Sequence, residues 1–339
     1  MSGLPNVGPR LVSAWNRFFH ADVDLRACAV VRIGYAALVL VWLAVLYPDL
    51  STWYGEEGVL PLATAEKTMP GGAWTLLAIF PKSLAWLYAA YAMAIVHALL
   101  LLAGFASRLN AAALWVWIVS FCHRNEVILD AEDTVFRLIG FFLVLMPAGA
   151  GWRLRIGDCG LRIASSPIRN GSPAWALRLL QIQMCVIFLS AAAAKLESAE
   201  WRDGTAMFYV SRLTDYFGRF PAPDFLWQTP WCVRTITWGV IAAELAIPVL
   251  IWLPPARRWA LAAAVAFHLA NEYTMHLFLF HWIMLVGWAS FLTGDDLDAI
   301  GRLVGRPFWA VPRATAQKGR PTTDSAATLP ARSAPLHPA

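Results

Sequence analysis

Charge is what this chain has least of. Asp, Glu, Lys and Arg make up 14% of its 339 residues, hydrophobic residues 59%, and the mean hydropathy is +0.54. Soluble domains are nearer a quarter charged, so the shortage excludes an ordinary water-soluble fold and marks an integral membrane protein. Lysine is scarcer still, four of the 27 basic residues, a skew that fits a GC-rich bacterial genome and carries no mechanism. The five cysteines share no metal-like spacing. Cys122 and Cys232 both fall near the outer face and leave one pairing open. Residues 1–25 carry Arg10, Arg17, Asp22 and Asp24 and no apolar core before a small-residue cleavage site, so the first helix is expected to double as the targeting signal. The absence of an internal repeat or of paired broken helices counts against a transporter. A net charge of +5 set by loop arginines is no nucleic-acid footprint.

What the chain does have is apolar runs, at about 28–47, 84–104, 109–122, 134–149, 175–194, 233–253, 258–271 and 276–293. They predict an all-α, polytopic membrane protein with about eight transmembrane helices. Several runs fall short of the roughly 20 residues a straight span needs, which requires thinning of the bilayer or cover from neighbouring helices. The connections alternate in charge. Arg10, Arg17 and Arg26, then Arg108, then Arg153 to Arg178, then Arg257 and Arg258 lie on one side, with acidic or mixed loops on the other. The positive-inside rule then puts both termini in the cytoplasm and Lys195 at the outer side, as expected for a bacterial inner membrane. The expected division is a cytoplasmic segment at 1–25, a transmembrane domain at 26–293 and a mostly disordered cytoplasmic tail at 294–339, rich in Pro, Ala, Ser and Thr from 310. Residues 201–232 form a long outer connection dense in aromatics, expected to lie in the interface as a short amphipathic helix plus loop.

Polar groups inside a bilayer are costly and tend to serve function. Arg32 lies in the first run. Asp133 and Arg137 stand four apart, a helical pair. Glu244 sits mid-run in AAELAIPVL, with Arg32 or Arg137 as its candidate partner. For these four a structural role is the expected one. His268 and Asn271, followed by Glu272, His276 and His281, return to the side where Lys195 sits. Their spacing fits a metal site or one polar stripe of a helix, and the second is preferred, so no metal is assigned.

Lys195 ends the run LLQIQMCVIFLSAAAA just before Glu197, Glu200 and Trp201. A lysine held against apolar packing loses hydration, which makes a neutral amine available as a base. A lysine at a helix end also snorkels to water, and position alone does not separate the two.

Five stretches, RIGYAALVLVWLAVLYPDLSTWYGEEGVLP, HRNEVILDAEDTVFRLIGFFLVLMP, FLSAAAAKLESAEWRDG, AAELAIPVLIWLP and FHLANEYTMHLFLFHWIML, occur in this order over residues 25–293. Together they resemble the horizontally transferred transmembrane domain (HTTM) family, which is similar to vitamin K-dependent gamma-carboxylase. The resemblance implies that Lys195 occupies the position of the lysine that deprotonates vitamin K hydroquinone. It implies that His268 and Asn271 match the family's segment near the quinone pocket, and that Trp201 and Gly204 match the segment after the lysine. Reduced quinone, oxygen and, in a carboxylase, carbon dioxide are the implied reactants. Two departures stand out. Asn125-Glu126, with His123 before it, replaces the asparagine–histidine of the carboxylase, and the chain ends soon after the last run, where the animal enzyme continues into a large outer domain that holds propeptides. Carboxylation of a protein partner is therefore not expected, whereas oxygen-dependent epoxidation of a membrane quinol survives both. The competing reading is a non-catalytic membrane protein that binds a lipid or quinone or partners a redox protein.

Overall fold

A computed structural model describes residues 7–21, 24–69, 71–79, 81–149, 152–157, 160–165 and 174–303. The eight apolar runs all form helices: α2 (Arg26–Leu46), α3 (Leu84–Ala103), α4 (Ser107–Arg124), α5 (Ala131–Leu145), α6 (Trp175–Glu197), α7 (Pro230–Leu250), α8 (Arg257–Thr274) and α9 (Phe280–Trp288). Before them lies α1 (Val7–His20), and after them α10 (Gly294–Leu303). Four of these helices, α2, α3, α6 and α7, are long and apolar enough to cross a membrane. At 1.5 Å per residue the 21 residues of α2 extend about 31 Å, the thickness of a hydrocarbon core. The 15 residues of α5 reach about 22 Å and the nine of α9 about 13 Å, so these two depend on cover from their neighbours.

Local chemistry sets the ends. Ser83 caps α3 by accepting from the Trp86 amide, and Gly104 closes it with φ +79°, a left-handed conformation that a residue bearing Cβ resists. Asp130 and Asp133 form a capping box that starts α5. Pro230 opens α7, where its missing N–H costs nothing.

The helices pack as two antiparallel sets, α2 to α5 and α6 to α9. Helix α9 joins them, resting on α2, α5, α6 and α8. Its inward residues His281, Ile283, Met284, Gly287 and Trp288 are buried. About a third of each long helix is buried, 33–39%, which leaves the rest of its apolar surface for lipid. Leu11, Val12 and Trp15 of α1 stay exposed, as on a helix lying in a membrane interface. That helix is held by Arg178 of α6, which donates to the Phe18 carbonyl at 3.3 Å and stacks on the Phe18 ring at 5.1 Å.

Two further segments take regular structure. The connection between α5 and α6 contains an antiparallel hairpin, β1 (Trp152–Gly157) with β2 (Gly160–Ser165). Its W-R-L-R-I alternation has the period of two that favours strands, a signal hidden among helical runs. The first ten residues of the expected tail form α10, anchored by Arg257 to Asp296 at 2.9 Å and by Arg26 to Asp298 at 2.8 Å. The low-complexity tail from 310 lies outside the described residues. Cys122 and Cys232 are each buried as free thiols.

Candidate functional site

Helix α6 ends at Glu197 because the chain turns back on it. Arg202 donates to the Leu196 and Glu197 carbonyls at 2.9 and 2.8 Å, satisfying two of the orphan carbonyls of the last turn. Gly204 makes this reversal possible. Its φ is +78°, and a Cβ there would lie 2.9 Å from the Trp238 ring. Trp238 in turn donates to the Arg202 carbonyl at 3.2 Å, and the Met207 amide donates to Thr237 at 3.2 Å, so the connection between α6 and α7 is clamped to the first half of α7.

The connection is a packed cover. Met207, Phe217 and Val233 form a small core of their own, with Trp201, Trp227 and Met275 against it. The Gly218 amide donates to the Thr274 carbonyl and the His276 amide to the Tyr216 carbonyl, both at 2.8 Å, fastening the cover to the end of α8. Arg219 pairs with Glu272.

Beneath it Lys195 points inward. Side chains on a helix lean toward its N-terminus, so a lysine near the C-terminal end of α6 reaches back into the bundle. Its Nζ lies 2.7 Å from Glu244 Oε1 and 5.3 Å from the Trp201 ring centre. The lysine side chain is 24% exposed and the glutamate 6%. Cys185 Sγ approaches the Pro248 carbonyl at 3.7 Å, which registers α6 against α7. Counting from that contact at 1.5 Å per residue puts the Glu244 backbone about 9 Å deeper than that of Lys195, so the two side chains meet by reaching toward each other. The candidate partners Arg32 and Arg137 are engaged elsewhere: Glu244 pairs with Lys195.

His268 occupies a second buried cluster, on α8. The Phe188 ring packs on it at 5.6 Å, seven residues and about 10 Å below Lys195, which sets His268 near the depth of Glu244. His268 Nε2 accepts from the Trp288 indole at 3.3 Å, and its Nδ1 faces His281 Nδ1 at 3.3 Å. For neutral rings this network assigns the His268 proton to Nδ1 and the His281 proton to Nε2. His281 Nε2 is buried without a partner, and so is Glu244 Oε2. Among the described residues, no hydrogen bond joins Lys195 or Glu244 to either histidine, and no group of three or more His, Cys, Asp or Glu side chains is placed to hold a metal ion. Lys195 and His268 therefore do not exchange a proton directly in this arrangement.

The other singled-out residues scatter. The Asn271 side-chain amide donates back to the Phe267 carbonyl at 2.8 Å on its own helix. Arg32, fully buried, donates to the Ala148 carbonyl at 2.9 Å and lies against Gly104, tying together the far ends of α2, α3 and α5. The Asp133 carboxylate is used by its capping box, accepting from the Asp130 amide at 2.8 Å. Arg137 reaches the Asp133 carbonyl at 3.3 Å and the Thr134 hydroxyl at 3.2 Å, so the four-residue spacing yields a bond to backbone and no carboxylate–guanidinium pair. Asn125 donates to the Trp53 carbonyl at 2.9 Å, and His123 Nδ1 meets the Trp74 carbonyl at 2.9 Å. Sequence reasoning passed over Trp288, Arg219 and Arg124. The first had no signal beyond its place in an aromatic run, whereas Arg124 stood beside the flagged Asn125.

Comparison with known proteins gives this arrangement a family. YitO of Bacillus subtilis (strain 168), described as an uncharacterized protein, is 26% identical over 123 residues, covering 36% of this chain and 40% of that protein. The match thus spans under half of that relative's length. No solved structure matches. A family model for the HTTM domain matches residues 64–295, a stretch that takes in α3 to α9, the connection between α6 and α7, Lys195, Glu244 and His268. With more than half of its length inside that match, the chain belongs to the HTTM domain family.

Proposed function

We propose that the chain is a membrane enzyme of the gamma-carboxylase-like kind, acting on a reduced quinone at the end of the bundle closed by Lys195, and that this end faces outward from a bacterial inner membrane. The observation that carries the reading is the Lys195–Glu244 pair, drawn inward under an aromatic cover and leaving Glu244 Oε2 open. A quinol hydroxyl resembles a phenol, acidic near pH 10, and gives up its proton only to a base held ready in a place poor in water.

In this reading the Lys195 ammonium cedes its proton to Glu244, and the neutral amine so freed accepts the hydroxyl proton and then faces the quinolate as an ammonium. The doubly protonated pair then carries one net positive charge against one negative charge on the bound substrate, so neither charge stands unpaired in the low-dielectric interior. Molecular oxygen then oxidises the quinolate to the quinone epoxide, with release of water. Trp201 holds the ammonium from above, and the aromatic cover excludes bulk water. His268 sits at similar depth, held in its own cluster by Trp288 and His281. Capture of carbon dioxide by a substrate carbanion is a further step for which Asn125-Glu126 offers no counterpart of the carboxylase pair.

The test is direct. Purified protein in detergent is supplied with reduced menaquinone or vitamin K hydroquinone and oxygen, and the quinone epoxide is sought by mass spectrometry beside Lys195→Ala. Epoxide that disappears in the variant supports the reading. Epoxide at equal background in both sinks it and favours the second reading, in which the pair is a structural ion pair of a protein that binds a lipid or quinone or serves a redox partner.

A further inference from the structure

A second site stands apart from Lys195, in the other half of the bundle. The connection between α2 and α3 and the last turn of α4 enclose a cleft of about 720 Å³. Arg124 forms part of its floor, 2% exposed. One guanidinium nitrogen, Nη2, donates to the Tyr54 carbonyl at 3.2 Å, and the other, Nη1, is buried without a partner. A charged donor left unsatisfied in the interior is costly, and an anionic oxygen entering the cleft would satisfy it. The loop above is fixed, since Asn125 holds the Trp53 carbonyl and the Val59 amide donates to the Thr52 carbonyl at 2.8 Å.

The walls carry both signs. Lys82, Glu56 and Glu57 all line the cleft, all three are exposed, and none has an ion-pair partner among the described residues. Leu84 and Trp86, also lining the cleft, are 53% and 47% exposed at the start of α3, where an apolar chain could leave the cleft along the helix. A purely anionic head would meet the two glutamates unfavourably.

We propose that this cleft binds a zwitterionic phospholipid head group, its phosphate against Arg124 and Lys82, its ammonium against Glu56 and Glu57, and its acyl chains along Leu84 and Trp86. A small rotation of the planar guanidinium turns Nη1 toward the phosphate. The site is independent of the quinol reading, because its residues lie in the other set of helices and none takes part in that chemistry.

The experiment is lipid retention by the full chain in detergent, measured by native mass spectrometry. Phosphatidylethanolamine is titrated beside phosphatidylglycerol, oleate and free glycerophosphoethanolamine. Two variants run in parallel: Arg124→Gln, and Thr52→Trp, which fills the cleft from an exposed wall position and spares the core. The proposal expects phosphatidylethanolamine to be retained at least tenfold over phosphatidylglycerol and oleate, with both variants losing that preference and Thr52→Trp keeping the parent's melting temperature. Equal retention of the two phospholipids, or a preference that survives Thr52→Trp, overturns it. Competition by glycerophosphoethanolamine at the concentration of the lipid overturns the lipid as source and assigns the cleft to a soluble phosphoamine.

Discussion

Replacing Glu244 by leucine strips Lys195 of its partner in a place that is poor in water. Breaking a fully buried ion pair costs roughly 3–5 kcal/mol, because the remaining charge is uncompensated. Lys195 keeps 24% exposure and can swing toward the interface, so the expected loss is nearer about 2–3 kcal/mol. Lys195→Met leaves the 6%-exposed carboxylate alone, and that group relieves its own cost by taking a proton, for a loss of about 2 kcal/mol. The double variant Lys195→Met/Glu244→Leu removes both charges and fills the space with apolar groups of similar size. It should return to within about 1 kcal/mol of the parent, since apolar replacement of a whole buried pair is often neutral. The coupling energy from the cycle is then about 3 kcal/mol. Unfolding by SDS in mixed micelles, followed by tryptophan fluorescence, measures all four proteins. Additive single effects, with coupling under about 0.5 kcal/mol, would refute the claim that the pair is a buried unit.

Three shorter predictions follow from other parts of the molecule. Gly204→Ala forces a Cβ into a left-handed residue and 2.9 Å from the Trp238 ring, costing about 1–3 kcal/mol; the melting temperature should fall by several degrees, and no change would mean that the reversal after α6 is not fixed by Gly204. Trp288→Phe removes the donor to His268 Nε2 and leaves a buried acceptor unsatisfied, about 1–3 kcal/mol; an unaltered melting temperature would contradict that bond. For Asp296 burial works to raise the carboxyl, yet the Thr293 hydroxyl and amide at 2.7 and 3.0 Å, with Arg257 and Arg258, hold it below the ordinary carboxylate range. A depressed carboxyl stabilises the folded state above its unfolded value near about 4 and loses that contribution as pH falls through the folded value. Helix α10 should stay protected from amide exchange at pH 6 and lose protection as the pH falls below about 4, whereas Asp296→Asn should show a smaller loss over the same range, that of the Arg26–Asp298 anchor alone.

The helical runs were legible because hydropathy over 15–20 residues is a one-dimensional signal. Boundaries shifted where tertiary contacts took over. The last run, expected from 276, begins as helix only at Phe280, because His276 is drawn out to bond Tyr216. Glu244 was visible as a costly charge, but its partner was not, since Lys195 stands 49 residues away and nothing along the chain encodes the register of α6 on α7. The same holds for His268 and His281: both histidines could be read, while their meeting, and the Trp288 donor that fixes the tautomer, depend on the turn at residues 275–279. Arg124 went unread because a basic residue at a helix end usually completes the helix dipole, and its burial is a property of the loop folded over it.

The central claim is that Lys195 and Glu244 act as a proton-accepting pair on a reduced quinone, and Lys195→Arg tests it most directly. Arginine keeps a positive charge beside Glu244 and so keeps the fold, but its guanidinium stays protonated and cannot share a proton. The measurement is the rate of epoxide formation from reduced menaquinone by this variant and its parent, with matched melting temperatures. The account predicts a fall of at least about 10²-fold, the lower end of what a positioned acid–base group contributes. A variant that forms epoxide at the parent's rate would contradict it.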